Sequence, residues 1–309
     1  MSAGPVKFAW GLVAVLLAVW ALTTFVAERT VPTLLLTYFV LPQVWLVPTV
    51  AALLLGAWRR DGRAVLGGAV ATALALLLVG WEVPSPSPGS RSFRLMTYNI
   101  ARGTGGAAEL ARVISRAEPD VVCLQETNTV LPGVLRDLER RLPGYAAARS
   151  REVVVLSRFP VTGVQDRALP DTTRRLLRAT VRVRGQPVTL LNLHFTTVLW
   201  RGGWAGARDR RAAQVRAVLQ VARQTRGPVV ACGDFNTPPR GLVDAALREQ
   251  FSNAFAQAGA GFGYTFPARA PLVRIDHVWL RRASAVAAFV PDARASDHRP
   301  LVVDVTLRR

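Results

Sequence analysis

Four apolar, β-like runs in the C-terminal part of this chain close on a side chain that can ligate a metal or carry a proton, and a fifth carries one inside it. FRLMTYNI closes on Asn99, DVVCLQET on Glu126, VTLLNLHF on His194, and PVVACGDFN on Asp234 and Asn236. LVRIDHVWL carries Asp276, and Ser296-Asp297-His298-Arg299-Pro300 follows near the C-terminus. A carboxylate at the end of a buried strand is costly unless it is paired or put to use. A sheet that repeatedly ends this way is building a site. Carboxylate oxygens suit Mg²⁺ or Mn²⁺, and Asp/His pairs beside such an ion suit acid–base work on a phosphate ester.

Between these runs, helical periodicity alternates with strand signals. Residues 107–117 and 130–141 read as helices, and 151–157, 179–183 and 188–195 as strands. Residues 208–226 form a basic amphipathic helix. A strand at 229–232, a short helix at 241–250 and strands near 274–280 and 300–307 complete the pattern. Mixed elements of this kind predict an α/β layered domain over residues 93–309.

The first 82 residues are of a different kind. Apolar stretches at about 6–26, 33–58 and 64–81 are each about long enough to cross a hydrocarbon layer of ~30 Å. Pro42 and Pro48 fall in the second, where a kink is tolerated. Tryptophans lie mostly toward the segment ends, as an interfacial belt would place them. Residues 1–82 therefore read as a region of three transmembrane helices, and the Pro/Ser-rich residues 83–92 as an extended linker reaching at most ~35 Å. The loop Arg59-Arg60-Asp61-Gly62-Arg63 holds three arginines, which places it and the N-terminus in the cytoplasm and the large domain outside. The formal charge is +19, almost all of it on the C-terminal domain. Such a field favours polyanions or anionic membrane. Lys7 is the sole lysine, however, so part of this charge reflects an arginine-biased composition.

TYN, LQET, NLHF, GDFN, RIDH and SDHRP, in this order, resemble the endonuclease/exonuclease/phosphatase superfamily, which includes deoxyribonuclease I, exonuclease III, neutral sphingomyelinases, inositol polyphosphate phosphatases and deadenylases. The resemblance spans residues 93–309. It implies a two-sheet α/β/β/α sandwich with the site at one open edge, and a metal-dependent phosphoesterase using Mg²⁺ or Mn²⁺. It implies that Asn99, Glu126 and Asp297 serve the metal. Asp276 would orient His298, which acts on the attacking water. Asp234 and Asn236 would contact the phosphoryl group or metal. His194 would act on the leaving side of the phosphate; an aromatic phenol stands there in exonuclease III-like members. In deoxyribonuclease-like members a Glu partners this histidine, and Glu152 is the nearby choice. Arg174, Arg175 and Arg178 are further phosphate-binding candidates, while His277 reads as structural, alternating away from Asp276.

The expected activity is hydrolysis of a phosphate ester or phosphodiester, lipid-linked in preference to nucleic acid, by an integral protein of the bacterial cell membrane with its catalytic domain outside; no protein partner is implied. The layout also resembles bacterial membrane proteins of this superfamily linked to glycopeptide (teicoplanin) resistance. The alternative is an anchored extracytoplasmic nuclease, favoured by the basic domain and His194. Trp200 and Trp204, interleaved with Arg201 and Arg208 just after His194, are read as an interfacial loop or a base-stacking platform. Cys123 and Cys232, the only cysteines, are expected as buried free thiols: Cys123 is three positions from Glu126 and Cys232 two from Asp234, so alternation points them differently.

Overall fold

The computed structural model describes residues 4–38, 42–130, 132–170, 172–198 and 203–307. The chain divides into two units, Met1–Glu82 with Pro239–Leu242, and Val83–Pro238 with Val243–Arg309.

In the first unit, α1 (Gly4–Ala21) continues through a π-helical turn to Val26. At 23 residues it reaches about 35 Å. Helix α2 (Val31–Tyr38) and α3 (Leu46–Trp58) follow, then α4 (Gly62–Val79). Asp61 caps α4 by accepting hydrogen bonds from the Arg63 and Ala64 amides. Gly80 ends it in the left-handed conformation. Two helices, Gly4–Val26 and Gly62–Val79, are long and apolar enough to cross a membrane. The stretch expected as one span over 33–58 is bent: Val31–Tyr38 and Gln43–Trp58 lie at 80° and pass the same test only as a pair, which makes a third span if they cross together. Helices α3 and α4 pack through small residues: a Cβ on Gly68 would lie 2.6 Å from the Leu53 Cα. Trp10, Trp20, Leu54 and Leu77 remain exposed, the surface a lipid-facing bundle presents.

The second unit holds β1 (Phe93–Asn99), α5 (Ala107–Ala117), β2 (Val121–Gln125), α6 (Val134–Arg140), β3 (Ala146–Arg149), β4 (Val153–Ser157), β5 (Val161–Ala168), β6 (Arg175–Val183) and β7 (Gln186–His194). There follow α7 (Gly203–Gln224), β8 (Val229–Asp234), α8 (Gly241–Arg248, in this unit from Val243 onward), β9 (Ser252–Asn253), α9 (Ala254–Ala258), β10 (Asp276–Arg281), β11 (Ala283–Phe289) and β12 (Leu301–Leu307). They form two six-stranded sheets, ordered β11-β12-β1-β2-β4-β3 and β5-β6-β7-β8-β10-β9.

Period-two alternation builds the layers. Phe93, Leu95, Val121, Val188, Leu190, Val230 and Val278 point between the sheets into one core. Their neighbours Met96, Val122 and Leu124 pack instead on α5 and α6 through Leu110, Ile114 and Leu138. On the other sheet Leu191, Leu193, Ala231 and Trp279 pack on α7 and α8 through Val215, Val218 and Leu247. The result is the expected α/β/β/α sandwich.

Alternation also corrects the reading of the cysteines. Cys123 and Cys232 both face the inter-sheet core and form a disulfide, with Cα atoms 6.4 Å apart. Glu126 lies beyond the end of β2 with φ 55°, so the strand's alternation stops before it. Counting back from Glu126 therefore assigns Cys123 the wrong face. The residues between the units' boundary and β1 also differ from a free linker. Ser85 and Ser87 donate backbone hydrogen bonds to the carbonyls of Gln257 and Ala285, and Gln257 donates to the Ser87 hydroxyl. These residues are strapped to the sandwich rather than spanning solvent.

Candidate active site

The inward-facing residues at one end of both sheets turn polar together. On β1 the odd-numbered series Phe93, Leu95, Thr97 arrives at Asn99, and on β8 Val230 and Cys232 lead to Asp234. Three neighbouring strands put their site residues at one level: His194 of β7 is in register with Asp234, and Asp234 with Asp276 of β10. Beneath them Gln125 donates to Asn192 Oδ1 at 2.8 Å, while Asn192 donates to the Leu124 and Val154 carbonyls. This buried amide bridge fixes the two sheet ends to each other.

Asn99 Nδ2 donates to both Glu126 Oε1 (3.2 Å) and Asp234 Oδ2 (3.1 Å). Two carboxylates converging on one amide suit a hard cation. Glu126 is held by a left-handed backbone, a conformation kept only where the surroundings over-determine it. The Glu126 side chain is 27% accessible, so solvent reaches it. Asp234, Asp276 and His298 form a second group, with ligand atoms within 4.8 Å of one another. Asp276 Oδ1 is buried with no hydrogen-bond partner among the described residues. Asp234, Asp276 and His298 therefore fit a divalent cation, and Glu126 adjoins this group through the Asn99 amide that it shares with Asp234.

His298 Nδ1 lies 2.8 Å from Asp276 Oδ2 and its Nε2 3.8 Å from Asp234. Ser296 sets this geometry: its hydroxyl donates to the Asn99 carbonyl and accepts from the His298 amide. The Phe266 ring covers the imidazole at 4.9 Å. Burial alone would lower the His298 pKa, but the charge and hydrogen bond of Asp276, with Asp234 and Asp297 beyond, raise it to about 10. Burial pushes the Asp276 carboxyl up despite His298. The pair therefore keeps a proton at neutral pH. Burial also opposes ionisation of Asp234, but His194, His298 and the bonds from Asn236 N and Asn99 hold it below the usual carboxylate range.

His194 faces the same centre, with Nε2 3.4 Å from Asp234 Oδ2. Its Nδ1 lies 3.0 Å from Glu152 Oε1, and Arg174 contacts both Glu152 and this nitrogen. Burial raises the Glu152 pKa, but its bond to His194 and the charges of His194 and Arg174 outweigh this and hold it ionised. Of the three arginine candidates, Arg174 alone reaches this network. Arg175 pairs with Asp166 at 2.7 Å, and Arg178 sits mid-strand opposite Leu191.

The remaining candidates hold other positions, and His277 is structural, as its alternation away from Asp276 predicts. The Asn236 side chain donates to the Phe195 carbonyl, while its amide serves Asp234. Asp297 is exposed on the turn before β12. His277 is buried and held near pKa 3 by burial first and then by Arg274, which keeps it neutral between Asn253 and the Thr237 carbonyl. Trp200 and Arg201 lie outside the described residues. Trp204 opens α7, with the Arg208 guanidinium 5.6 Å over its ring. Sequence reasoning gave no role to Gln125 or Asn192, or to Arg211. The last lies fully buried on α7 and donates to Thr196 O and Phe235 O, clamping the exits of β7 and β8. A buried arginine within an arginine-rich amphipathic helix carries no sequence signal of its own.

The Endonuclease/Exonuclease/phosphatase family model matches residues 96–298. Uncharacterized protein YbhP of Escherichia coli K12 is 24% identical over 259 residues, covering 70% of this chain and 97% of that one. The mannosyl-6-phosphatase of Bacteroides thetaiotaomicron superposes with TM-score 0.60 at 16% identity, covering 70% of this chain and all of its own. D. rerio TDP2 complexed with a single-strand DNA product superposes with TM-score 0.58 at 20% identity, covering 69% and 98%.

Proposed function

The chain belongs to the endonuclease/exonuclease/phosphatase family, whose members hydrolyse phosphate esters, and we propose that it is a membrane-anchored phosphoesterase acting outside the cytoplasm on a lipid-linked phosphate or phosphodiester. The convergence of Asn99, Glu126, His194, Asp234, Asp276 and His298 at one end of the sandwich carries this reading. Enzymes of this family typically use divalent metal ions. Mg²⁺ or Mn²⁺ bound at the carboxylates would supply charge neutralisation and an acidified water. Asp276 fixes the His298 ring, whose Nε2 faces Asp234 and the open centre. Positive charge gathered there would lower the affinity of His298 for its proton and free it to accept one from water. His194, oriented by Glu152 and Arg174, presents Nε2 to protonate or hydrogen-bond the departing oxygen.

Support for the membrane setting comes from the apolar helices, and for an outside location from the Arg59–Arg63 loop and the Cys123–Cys232 bridge. Disulfides persist chiefly in oxidising compartments. A reporter active only in the cytoplasm, fused after Arg309, is expected to stay silent. A bright reporter would reverse the topology.

The second reading is a nuclease, favoured by the basic domain and the His194–Glu152 pair. The full chain in detergent, given Mg²⁺ or Mn²⁺, separates the two on plasmid DNA, RNA, sphingomyelin, phosphoinositides and polyprenyl phosphates. Turnover of a phospholipid or polyprenyl phosphate above the nucleic acids is expected. DNA cleavage with no lipid phosphate turned over would replace the first reading with the second.

A further inference from the structure

Beside the catalytic centre, a cleft of about 390 Å³ opens between three loops, lined among others by Thr104 and Gly105, Pro267 and Arg269, and Arg294 and Asp297. Its size falls within the roughly 300–1,000 Å³ of ligand sites. The cleft is built rather than incidental. Gly105 packs directly on the backbone of Ala295: a Cβ there would fall 1.9 Å from the Ala295 carbonyl oxygen. Ala268 donates its amide to the Asp297 carbonyl at 2.7 Å. Arg299 ties the remaining edges, donating from Nε to the Ala268 carbonyl at 2.7 Å and pairing with Asp292 at 2.8 Å. The segments that carry Arg269 and Arg294 are thus fixed before any ligand arrives, which reduces the ordering cost of binding.

The two guanidiniums have little else to do. Arg269 is exposed and makes no ion pair among the described residues. Arg294 stands 3.9 Å from Asp292 and is 66% accessible. Asp292 already holds Arg299 at the shorter distance, and an exposed pair of this kind contributes little. The cleft meets the catalytic centre through Ser296, which bonds Asn99, and Asp297, the residue before His298. Two cations thus line a cleft whose one acidic side chain is Asp297, next to a site that hydrolyses phosphate esters. Guanidiniums are the side chains best matched to phosphate oxygens.

We propose that this cleft is a subsite for a second phosphate group of the substrate, bound by Arg269 and Arg294 next to the phosphoryl group that is hydrolysed. The preferred substrate then carries two phosphates close together, as a diphosphate or as successive phosphate esters. The inference rests on the phosphoesterase reading and narrows its substrate class.

The test uses the full chain in detergent with saturating Mg²⁺ and two matched pairs of probes. Farnesyl diphosphate is compared with farnesyl monophosphate, and 5′-phosphorylated dithymidylate with dithymidylate. The two-phosphate member of at least one pair is expected to show a tenfold or greater advantage in kcat/KM, expressed mainly in KM. The pair that shows it identifies a lipid or a nucleotide source. Arg269→Gln with Arg294→Gln is expected to reduce that ratio to near one, and Arg269→Lys with Arg294→Lys to restore part of it. No advantage in either pair overturns the subsite, as does an advantage the double glutamine variant retains. No metal-dependent hydrolysis of any probe overturns the phosphoesterase reading and the subsite with it.

Discussion

Glu126→Ala, Asp234→Ala and His298→Ala are each expected to cut metal-dependent turnover by roughly three to five orders of magnitude, because groups acting on one reacting centre are strongly interdependent. Asp234 is in register with His194 and Asp276, receives hydrogen bonds from Asn99 and Asn236, and is near His298. Its removal strips charge balance from two histidines at once. Glu126 shares the Asn99 amide and reaches solvent, so its loss removes the carboxylate a hydrated cation meets first. His298→Ala leaves Asp276 buried beside an empty space. A second replacement should add much less than the first, since the centre fails as a unit. Chelation should abolish turnover of the unaltered protein, and added Mg²⁺ or Mn²⁺ should restore it. The measurement is initial rate on the best substrate, with circular dichroism confirming that each variant is folded. If all three folded variants kept near-native rates, the assignment of this site would be wrong.

Glu126, His194 and Asp234 were legible in the sequence because each ends an apolar run, a pattern that burial makes expensive to leave unused, whereas Asp276 stands inside such a run and His298 was legible only through the Ser296–Pro300 motif. Helix α5 was legible for a related reason: Ala107, Leu110, Ala111, Ile114 and Ala117 form one apolar stripe, and the structure buries all five. Strands β3, β5 and β11 were not read from the sequence. β3 is AAAR and β11 is ASAVAAF, and alanine distinguishes poorly between helix and strand. β5, VTGVQDRA, is an exposed edge with no apolar face. The Arg174–Glu152–His194 cluster joins residues 20 to 42 positions apart through strands that only pairing brings together. Asp297 shows the limit of motif reading. The sequence places it beside His298, but the turn that points His298 inward leaves Asp297 exposed at the mouth of a cleft. Pattern reveals which residues face a core; it does not reveal which other strand that core includes.

Replacing Cys123 and Cys232 with alanine is expected to destabilise the sandwich by about 3–5 kcal/mol, the range for a bridge closing a loop of this length. The bridge joins positions 109 residues apart and crosses from β2 to β8, the two central strands of opposite sheets. It sits in the core beside the Gln125–Asn192 amide bridge: Cys232 is in register with Asn192, and Cys123 lies two positions before Gln125 on β2. Cys123 is followed within three residues by Glu126, and Cys232 within two by Asp234. Any shift of one sheet over the other would therefore move Glu126 relative to Asp234, and both must share the Asn99 amide. Loss of the bridge should reduce turnover as well as stability, and the loss of turnover should be greater near the unfolding temperature. Urea unfolding of the full chain in detergent, followed by intrinsic fluorescence, gives the stability difference, and non-reducing mass analysis gives the thiol state. Two free thiols in protein isolated without reductant would remove the cross-link, and with it the strongest physical argument that the catalytic unit works outside the cytoplasm.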